Sequence, residues 1–524
     1  MSKIQPPAPH RLAFLAVVAA SAFTCASSAQ AAPTLGANFE GGSQLVNCAL
    51  GECFRPPDTM GAVGTTQFLE TANGYVRTYD KHTGALQQSI NMRTFWGNAG
   101  LAGGANGDQR VLFDHFTNRW IALGFGSTTN KINIGISDTA DALGGWKSTQ
   151  IVGVAGTTLD YPTLGIDKNG VYIGTNNFPA AGFNGTSLFV VPKSDLFGAA
   201  PSLANMTRFD TPYPAVLDRG FAIQGAVNWS NTNNSNTGKI LALNIDTFQD
   251  YNFYKVNGVN AAGATLTAST AVNVGAYDCN TSTCLTKAGQ PDGTNVVDTL
   301  DPRLSSNVYE SNGKLYAVHT VNPTNDAHTA VRWSVMDANT GALIQEGDIS
   351  GGGFDYYQGS IAVNEFGQAV IGYNRSGTQV ADLNGDGKAD GNISFMARAF
   401  NTGGGGGLVQ DGGELLLKVS GISDYHCSTR VGPAACRQRW GDYSAVSIDP
   451  TNHRSFYAIG EYASDWALLL DPNGQPIVGT PRAIWNTYIA QITAVPEPGT
   501  YALMLAGLAA VASLARRRRN GSAS

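Results

Sequence analysis

The chain has 524 residues, among them 63 glycines, 19 tyrosines and 22 phenylalanines, and only 14% are charged. That balance excludes a mainly helical protein, which would carry more Glu, Lys and Leu, and describes many short strands joined by tight turns. Between Ala32 and Ala515, 27 Lys and Arg stand against 39 Asp and Glu, a net charge of −12; such a body is a poor nucleic-acid binder and suits cations, neutral sugars or a basic partner.

In chain order, residues 1–31 combine a basic start, an apolar run from Leu12 to about Phe23 and the small-x-small site Ala29-Gln30-Ala31. They predict a signal peptide, hence an exported chain that begins near Ala32. A lead-in, 32–55, carries Cys48 and Cys53. With Cys279 and Cys284, and Cys427 and Cys436, these make three close pairs, which in an oxidising compartment read as three small disulfide-stapled loops. No pair has the two-residue spacing of a zinc knuckle.

Residues 56–492 hold an internal repeat. Asp160 opens DYPTLGIDKNGVYIGTN, Asp355 opens DYYQGSIAVNEFGQAVIGYN and Asp442 opens DYSAVSIDPTNHRSFYAIGEY. Each has an acidic entrance, a short apolar strand, a polar turn and a second strand. Weaker copies begin at Asp58, Asp108, Asp218 and Asp301, giving intervals of 50, 52, 58, 83, 54 and 87 residues. A period near 50 fits one four-stranded blade, with the longer intervals holding insertions. Ile132, Ile134 and Ile136 alternate with Asn133, Gly135 and Ser137, which predicts an outer strand, a turn at 138–145, and Trp146 packed between blades. SLFVVPKSDL from Ser187 is a further strand, and AIWNTYIAQI from Ala483 supplies one that closes the ring beside material preceding Asp58. The class is all-β, and the body resembles a seven-bladed β-propeller of the sialidase-like, BNR-like kind found in secreted bacterial proteins. The Ser-x-Asp-x-Gly-x-x-Trp box and the arginine triad of sialidases are absent, so the resemblance implies the fold without that activity.

If each repeat begins with the innermost strand, the leading aspartates Asp58, Asp108, Asp160, Asp218, Asp301, Asp355 and Asp442 ring one channel mouth. Converging carboxylates raise one another's proton affinity and serve as acid and base on sugars, or hold a cation. The competing reading makes each Asp an acceptor for backbone N–H groups in the turn entering its strand. Tyr161, Tyr356 and Tyr443 follow Asp160, Asp355 and Asp442, and Arg110, Arg219 and Arg303 follow three others; aromatic, acidic and basic groups together are what carbohydrate sites use. Those three Asp-Tyr pairs are the catalytic candidates. His319, ending a second strand, is a weaker one. Asp382, Asn384, Asp386, the carbonyl of Lys388, and Asp390 have the oxygen-donor spacing of a DxNxDGxxD calcium loop. Position twelve is Ile393 and no helix flanks the loop, which resembles the calcium hairpins of integrin-type propellers and implies a structural Ca2+. No His-Glu-x-x-His, Gly-x-Ser-x-Gly or phosphate-binding glycine loop occurs.

The chain ends in VPEPGTYALMLAGLAAVASLARRRR. Pro496-Glu497-Pro498, an uncharged apolar run over about 498–515 long enough to cross most of a bilayer core, and Arg516, Arg517, Arg518 and Arg519 follow the positive-inside rule. A permanent single-span anchor is one reading. The three parts together, over 493–524, closely resemble the PEP-CTERM sorting signal of Gram-negative bacteria. The resemblance implies an inner-membrane intermediate, cleavage by an exosortase, and transfer to the cell surface or extracellular matrix. Three functions fit the whole: a body that binds polysaccharide or another surface component, a glycoside hydrolase or polysaccharide lyase at the channel mouth, and a calcium-dependent adhesion protein.

Overall fold

The computed structural model describes residues 32–101, 105–126, 130–211, 220–229, 236–244, 246–279, 285, 287–293, 295–403, 406–426, 438–477 and 482–494. Residues 1–31, expected to be a signal peptide, lie outside them, as do Asp218, Arg219, Cys284, Cys427, Cys436 and the segment from Val495 onward. Among the described residues no helix is long and apolar enough to cross a membrane.

The described chain is all-β and propeller-like, a succession of antiparallel meanders. Four-stranded sheets form over 60–91, 107–152, 158–211 and 355–419. A nine-stranded sheet spans 221–273 and 308–349, and divides into two meanders at one parallel pairing, Ala226 opposite Val308 and Asn228 opposite Glu310. The last sheet runs Ala445–Ile448, Ser455–Ala467, Arg482–Thr493, and takes its outermost strand, Thr34–Ser43, from the start of the described chain. The first strands of these seven meanders pack side by side in chain order, and Ala445–Ile448 returns to Met60–Val63. A compact unit runs from Thr34 to Ala494, and its first strand covers an edge that the last sheet would otherwise expose.

The alternation read at Ile132, Ile134 and Ile136 corresponds to strand Lys131–Ser137, paired with Trp146–Val152. Trp146 meets Phe95 edge-on at 5.0 Å, on a helix, Met92–Asn98, that leaves the preceding sheet. The helix is capped by the Asn91 side chain, which accepts the Arg93 N–H at 2.7 Å, as N-caps do.

First strands share a local device. Asp108, Tyr161, Ala222 and Gln358 have φ between 50° and 56°, and each lies in a register shift against its second strand. These are β-bulges, which re-aim the chain at a sheet margin. Three of the four N–H groups so released from their own ladder are accepted by a neighbouring side chain. Asn73 Oδ1 takes Asp108 N–H at 2.8 Å, Asp108 Oδ2 takes Tyr161 N–H at 3.3 Å, and Asn176 Oδ1 takes Ala222 N–H at 2.9 Å. Short Asx side chains thereby stitch successive meanders at their entrances.

The opposite ends of the first strands are held by buried ion pairs between meanders. Lys81 Nζ lies 2.7 Å from Asp449, and Lys193 Nζ lies 2.7 Å from Asp114. Both carboxylates also cap the turn that follows them, Asp114 accepting from Thr117 and Asp449 from Thr451.

The two long intervals hold insertions that meet each other. Ala288–Gly289 and Asn295–Asp298, from the insertion before the fifth meander, join Gln438–Arg439, from the insertion before the seventh, in a three-stranded sheet. Gln290 and Tyr425 exchange hydrogen bonds, and His426 Nε2 lies 2.8 Å from Asp292. Among the described cysteines, Cys48 and Cys53 are joined to each other and Cys279 is disulfide-bonded.

Candidate functional site

The entrance places four of the leading aspartates in one network. Asp58 Oδ1 accepts the Asp442 N–H at 2.9 Å and Oδ2 accepts from Asn73 Nδ2 at 2.6 Å. Asp108 Oδ2, besides the Tyr161 N–H, takes the Tyr443 hydroxyl at 3.3 Å. Asp442 is paired with Arg439 at 2.7 Å, and Asp160 lies close enough to Asp108, Asp442 and Arg303 to interact electrostatically with each. Arg110 is fully buried, its guanidinium 3.8 Å from the Tyr443 ring centroid and its Nε donating to Pro162 O at 2.8 Å.

Asp301 adjoins this network through Arg303, which it grips with both oxygens, the Nε contact at 2.7 Å. The Arg303 guanidinium lies 4.4 Å from the Tyr161 ring centroid, and the Tyr161 and Tyr443 rings are 4.8 Å apart. Asp355 stands elsewhere. Its oxygens accept N–H groups of Thr329 at 3.0 Å and Gly289 at 2.9 Å, so it holds an insertion in place. Tyr356 also faces away, its hydroxyl on Gly351 O at 3.3 Å. Asp218 and Arg219 lie outside the described residues.

Burial sets the electrostatics. Desolvation first, then the Asp442 charge, pushes the Asp58 carboxyl up to about 7. Asp108 is raised well above the usual carboxylate range by burial and by Asp58, Asp160 and Asp442, and Asp160 is raised by burial. Glu461, absent from the repeat pattern, is buried beside Asp58 and Asp442 and is raised strongly as well. Arg439 and Arg303 are held more firmly protonated, because their carboxylate partners outweigh the cost of burying them. The arrangement can store protons and lock the entrances together. Its members are almost all buried, with Asp160 and Arg439 at the solvent edge.

His319 is fully buried, Nδ1 2.9 Å from Pro302 O and the ring against Tyr251 and Tyr277. Burial lowers its pKa to about 4, so it is neutral near pH 7.

The loop 382–390 is exposed and forms a single knot of hydrogen bonds. Asp382 Oδ1 accepts the N–H groups of Gly385 at 2.8 Å and Asp386 at 3.1 Å, and Oδ2 accepts that of Gly387 at 2.8 Å. Asp386 accepts from Lys388 N at 2.9 Å and Asp390 from Leu383 N at 3.2 Å. Among the described residues no three His, Cys, Asp or Glu side chains form a metal-binding group.

Residues that sequence reasoning passed over include Asn73, Asn176, Glu70, Arg439, Glu461, Lys81 and Lys193. One signal was legible: Asp80-Lys81-His82-Thr83-Gly84-Ala85-Leu86 and Asp337-Ala338-Asn339-Thr340-Gly341-Ala342-Leu343 repeat one turn. In both, Asp Oδ1 accepts the N–H two and three residues on and the Thr hydroxyl.

Among solved structures, similarity is distant. The chain is 9% identical to the α-L-arabinofuranosidase Arb93A of Fusarium graminearum, with a TM-score of 0.35 over 88% of this chain and 98% of that one. It is 12% identical to an α-L-arabinanase of Penicillium chrysogenum, with a TM-score of 0.35 over 70% and 98%. It is 12% identical to a bifunctional GH43-CE protein of Bacteroides eggerthii, TM-score 0.29, matching 56% of this chain and spanning only 33% of that protein. No curated protein matches the sequence. Residues 494–519 match the PEP-CTERM protein-sorting motif, which implies export, processing by an exosortase and sorting to the cell surface.

Proposed function

We propose that this chain is a surface or matrix protein whose body, a closed seven-bladed propeller, binds polysaccharide or another surface component. The reading includes an inner-membrane intermediate in a Gram-negative cell, held by the apolar run 498–515 until the exosortase acts near Pro496-Glu497-Pro498. One observation carries the preference for binding over catalysis: the entrance carboxylates are spent on the scaffold. Asp58, Asp108 and Asp355 accept backbone N–H groups from neighbouring segments, and Asp301 and Asp442 are paired with arginines. A hydrolase needs two carboxyl groups flanking an open sugar site, about 5–10 Å apart. The mature chain is expected to be retained on the producer's own exopolysaccharide in affinity electrophoresis while releasing neither reducing ends nor unsaturated uronates. Turnover that Asp160→Asn abolishes would establish the hydrolase or lyase instead.

We also infer that the loop 382–390 holds Ca2+ through Asp382, Asn384, Asp386, the Lys388 carbonyl and Asp390. The support is an oxygen-only donor set in one exposed turn, suited to a hard cation. Millimolar Ca2+ is expected to raise the melting temperature by about 2–4 °C, and Asp386→Ala to remove that increment. An equal effect of Ca2+ and Mg2+ on both proteins would remove the site. Calcium-dependent clumping of cells, lost in the same variant, would favour adhesion as the biological role.

A further inference from the structure

Both ends of the compact unit leave it by the same face. In the last sheet Ala445 pairs with Ile459 near the aspartate entrance, whereas Ser455 pairs with Thr493 beside the turn 449–454. Thr493 pairs in turn with Thr34, and the Ala494 N–H donates to Arg454 O at 2.9 Å. The first strand therefore begins, and the last one ends, at the face of the hairpin turns, remote from the entrance. Inner turns of neighbouring meanders meet there: Asn312 Nδ2 donates to Glu365 O and Asn364 Nδ2 to His453 O, both at 2.8 Å. The matched sorting motif begins at 494, the residue on which the compact unit ends.

The chemistry of that face suits a lipid headgroup layer. Its inner turns expose Thr66, Asn118, Lys168, Asn312, Phe366 and Asn452. Asp114, Asp167 and Asp449 are buried there, and half-buried Glu365 is bonded to His453 Nδ1 at 2.5 Å. The exposed Asp138 and Asp141 lie farther out, between the third and fourth strands of their meander. The entrance side, by contrast, exposes Asp292, Asp382 and Asp386. Phe366 is 49% exposed, and the Arg454 guanidinium, which donates to Gln368 Oε1 at 3.2 Å, lies 4.2 Å from its ring centroid. An exposed ring beside a cation matches a bilayer interface, with the ring towards the acyl boundary and the cation among the phosphates. This pair stands where the chain leaves the fold, because Arg454 also holds Ala494.

We propose that, while the sorting segment is held in the bilayer, the hairpin-turn face lies against the headgroup layer and the aspartate entrance points away from it. Reach is the main argument. Residues 495–498 separate Ala494 from the apolar run, and four extended residues span at most about 14 Å. The headgroup region takes up about 5–8 Å of that, so the end of the last strand is kept within about 10 Å of the outer edge of the headgroups. The strand Arg482–Thr493 has 12 residues, and at roughly 3.3 Å per residue it carries the entrance about 36 Å farther out. The loop 382–390 lies on the entrance side, since Ser376 before it pairs with Asp355. It is thereby presented away from the membrane before the chain is released. The inference rests on the reading of an inner-membrane intermediate and names the face that meets the membrane.

The test uses the chain from Ala32 to Ser524, its sorting segment uncut, reconstituted into vesicles of phosphatidylethanolamine and phosphatidylglycerol. A bimane label is attached through Thr66→Cys or Lys168→Cys on the turn face, in two different meanders, and through Leu383→Cys or Asn473→Cys on the entrance side; all four positions are exposed. Lipid carrying a nitroxide on its headgroup is expected to quench the first pair, which it reaches at headgroup depth, by about twofold and to leave the second pair unchanged, with every variant floating with the vesicles. Equal quenching of both pairs, or of neither, in chains that float overturns the orientation and leaves the membrane intermediate standing. Chains that do not float with the vesicles overturn the intermediate and this inference with it.

Discussion

Glu70→Ala is expected to destabilise the body by about 3–5 kcal/mol, the cost of leaving several buried donors without their shared acceptor. Glu70 is fully buried on the first meander, yet it serves the last. Its carboxylate accepts the Gly42 N–H at 3.0 Å, the hydroxyls of Tyr75 and Tyr79 at 2.8 and 2.7 Å, and the Thr487 hydroxyl at 2.6 Å. Gly42 belongs to the outermost strand Thr34–Ser43 and Thr487 to its partner Arg482–Thr493, so one carboxylate clips both to the first meander. The approach needs glycine: a Cβ on Gly41 would stand 2.2 Å from the Thr487 hydroxyl, and one on Gly42 2.2 Å from that of Tyr75. Alanine at 70 strands three donors at once, the Gly42 N–H and the two tyrosine hydroxyls, while the Thr487 hydroxyl keeps the Gly42 carbonyl at 3.2 Å; Gln keeps one acceptor and is expected to cost about 1–3 kcal/mol. Urea denaturation gives the totals, and amide exchange over 34–43 should quicken before the rest of the body. A loss under 1 kcal/mol, or uniform exchange, would show that Glu70 is not the clasp.

The second large effect is a dependence on pH. The Asp58 carboxyl is pushed up to about 7 by burial and by Asp442, against about 3.9 for an unfolded aspartate. The folded state therefore binds this proton more tightly than the unfolded state. Stability is fully present below about pH 4 and is lost as pH rises through about 7, the reverse of an ordinary ion-paired aspartate. From pH 5 to pH 8 the contribution of Asp58 falls by about 2–3 kcal/mol, at 1.36 kcal/mol per unit. Asp108, Asp160 and Glu461 are raised too and add to the same slope. Asp58→Asn cannot ionise, so it is expected to be less stable than wild type at pH 5, where it gives up the hydrogen bond from Asn73, and to lose less stability on going to pH 8. Urea midpoints at pH 5, 6.5 and 8 measure this; parallel profiles for the two proteins would refute it.

The aspartate repeat was legible because Asp stands just before or at the start of the first strand in successive meanders, and the apolar run after it marks that strand. Its purpose was not legible. Asp108 lies next to Asn73 and Tyr443 only once the strands have been laid side by side, and those residues are 35 and 335 positions away. Asp355 looks like Asp160 in sequence, DY followed by an apolar strand, but an insertion supplies its partner Gly289 and separates it from the network. Glu461 and Arg439 carry no repeat signal at all, since one occurs in a single meander and the other in an insertion, and only their placement beside Asp58 and Asp442 gives them a role.

By itself the sequence determined the strand class, the sevenfold period and the sorting address, because each depends on local patterning: alternation, turn chemistry, and a contiguous run of Pro-Glu-Pro, apolar residues and arginines. Tertiary structure alone decided which carboxylates meet, which become scaffold, and that Lys193 pairs with Asp114 between two meanders. Those outcomes depend on desolvation and on contacts between residues far apart in the chain, and neither quantity is encoded in any short stretch of it.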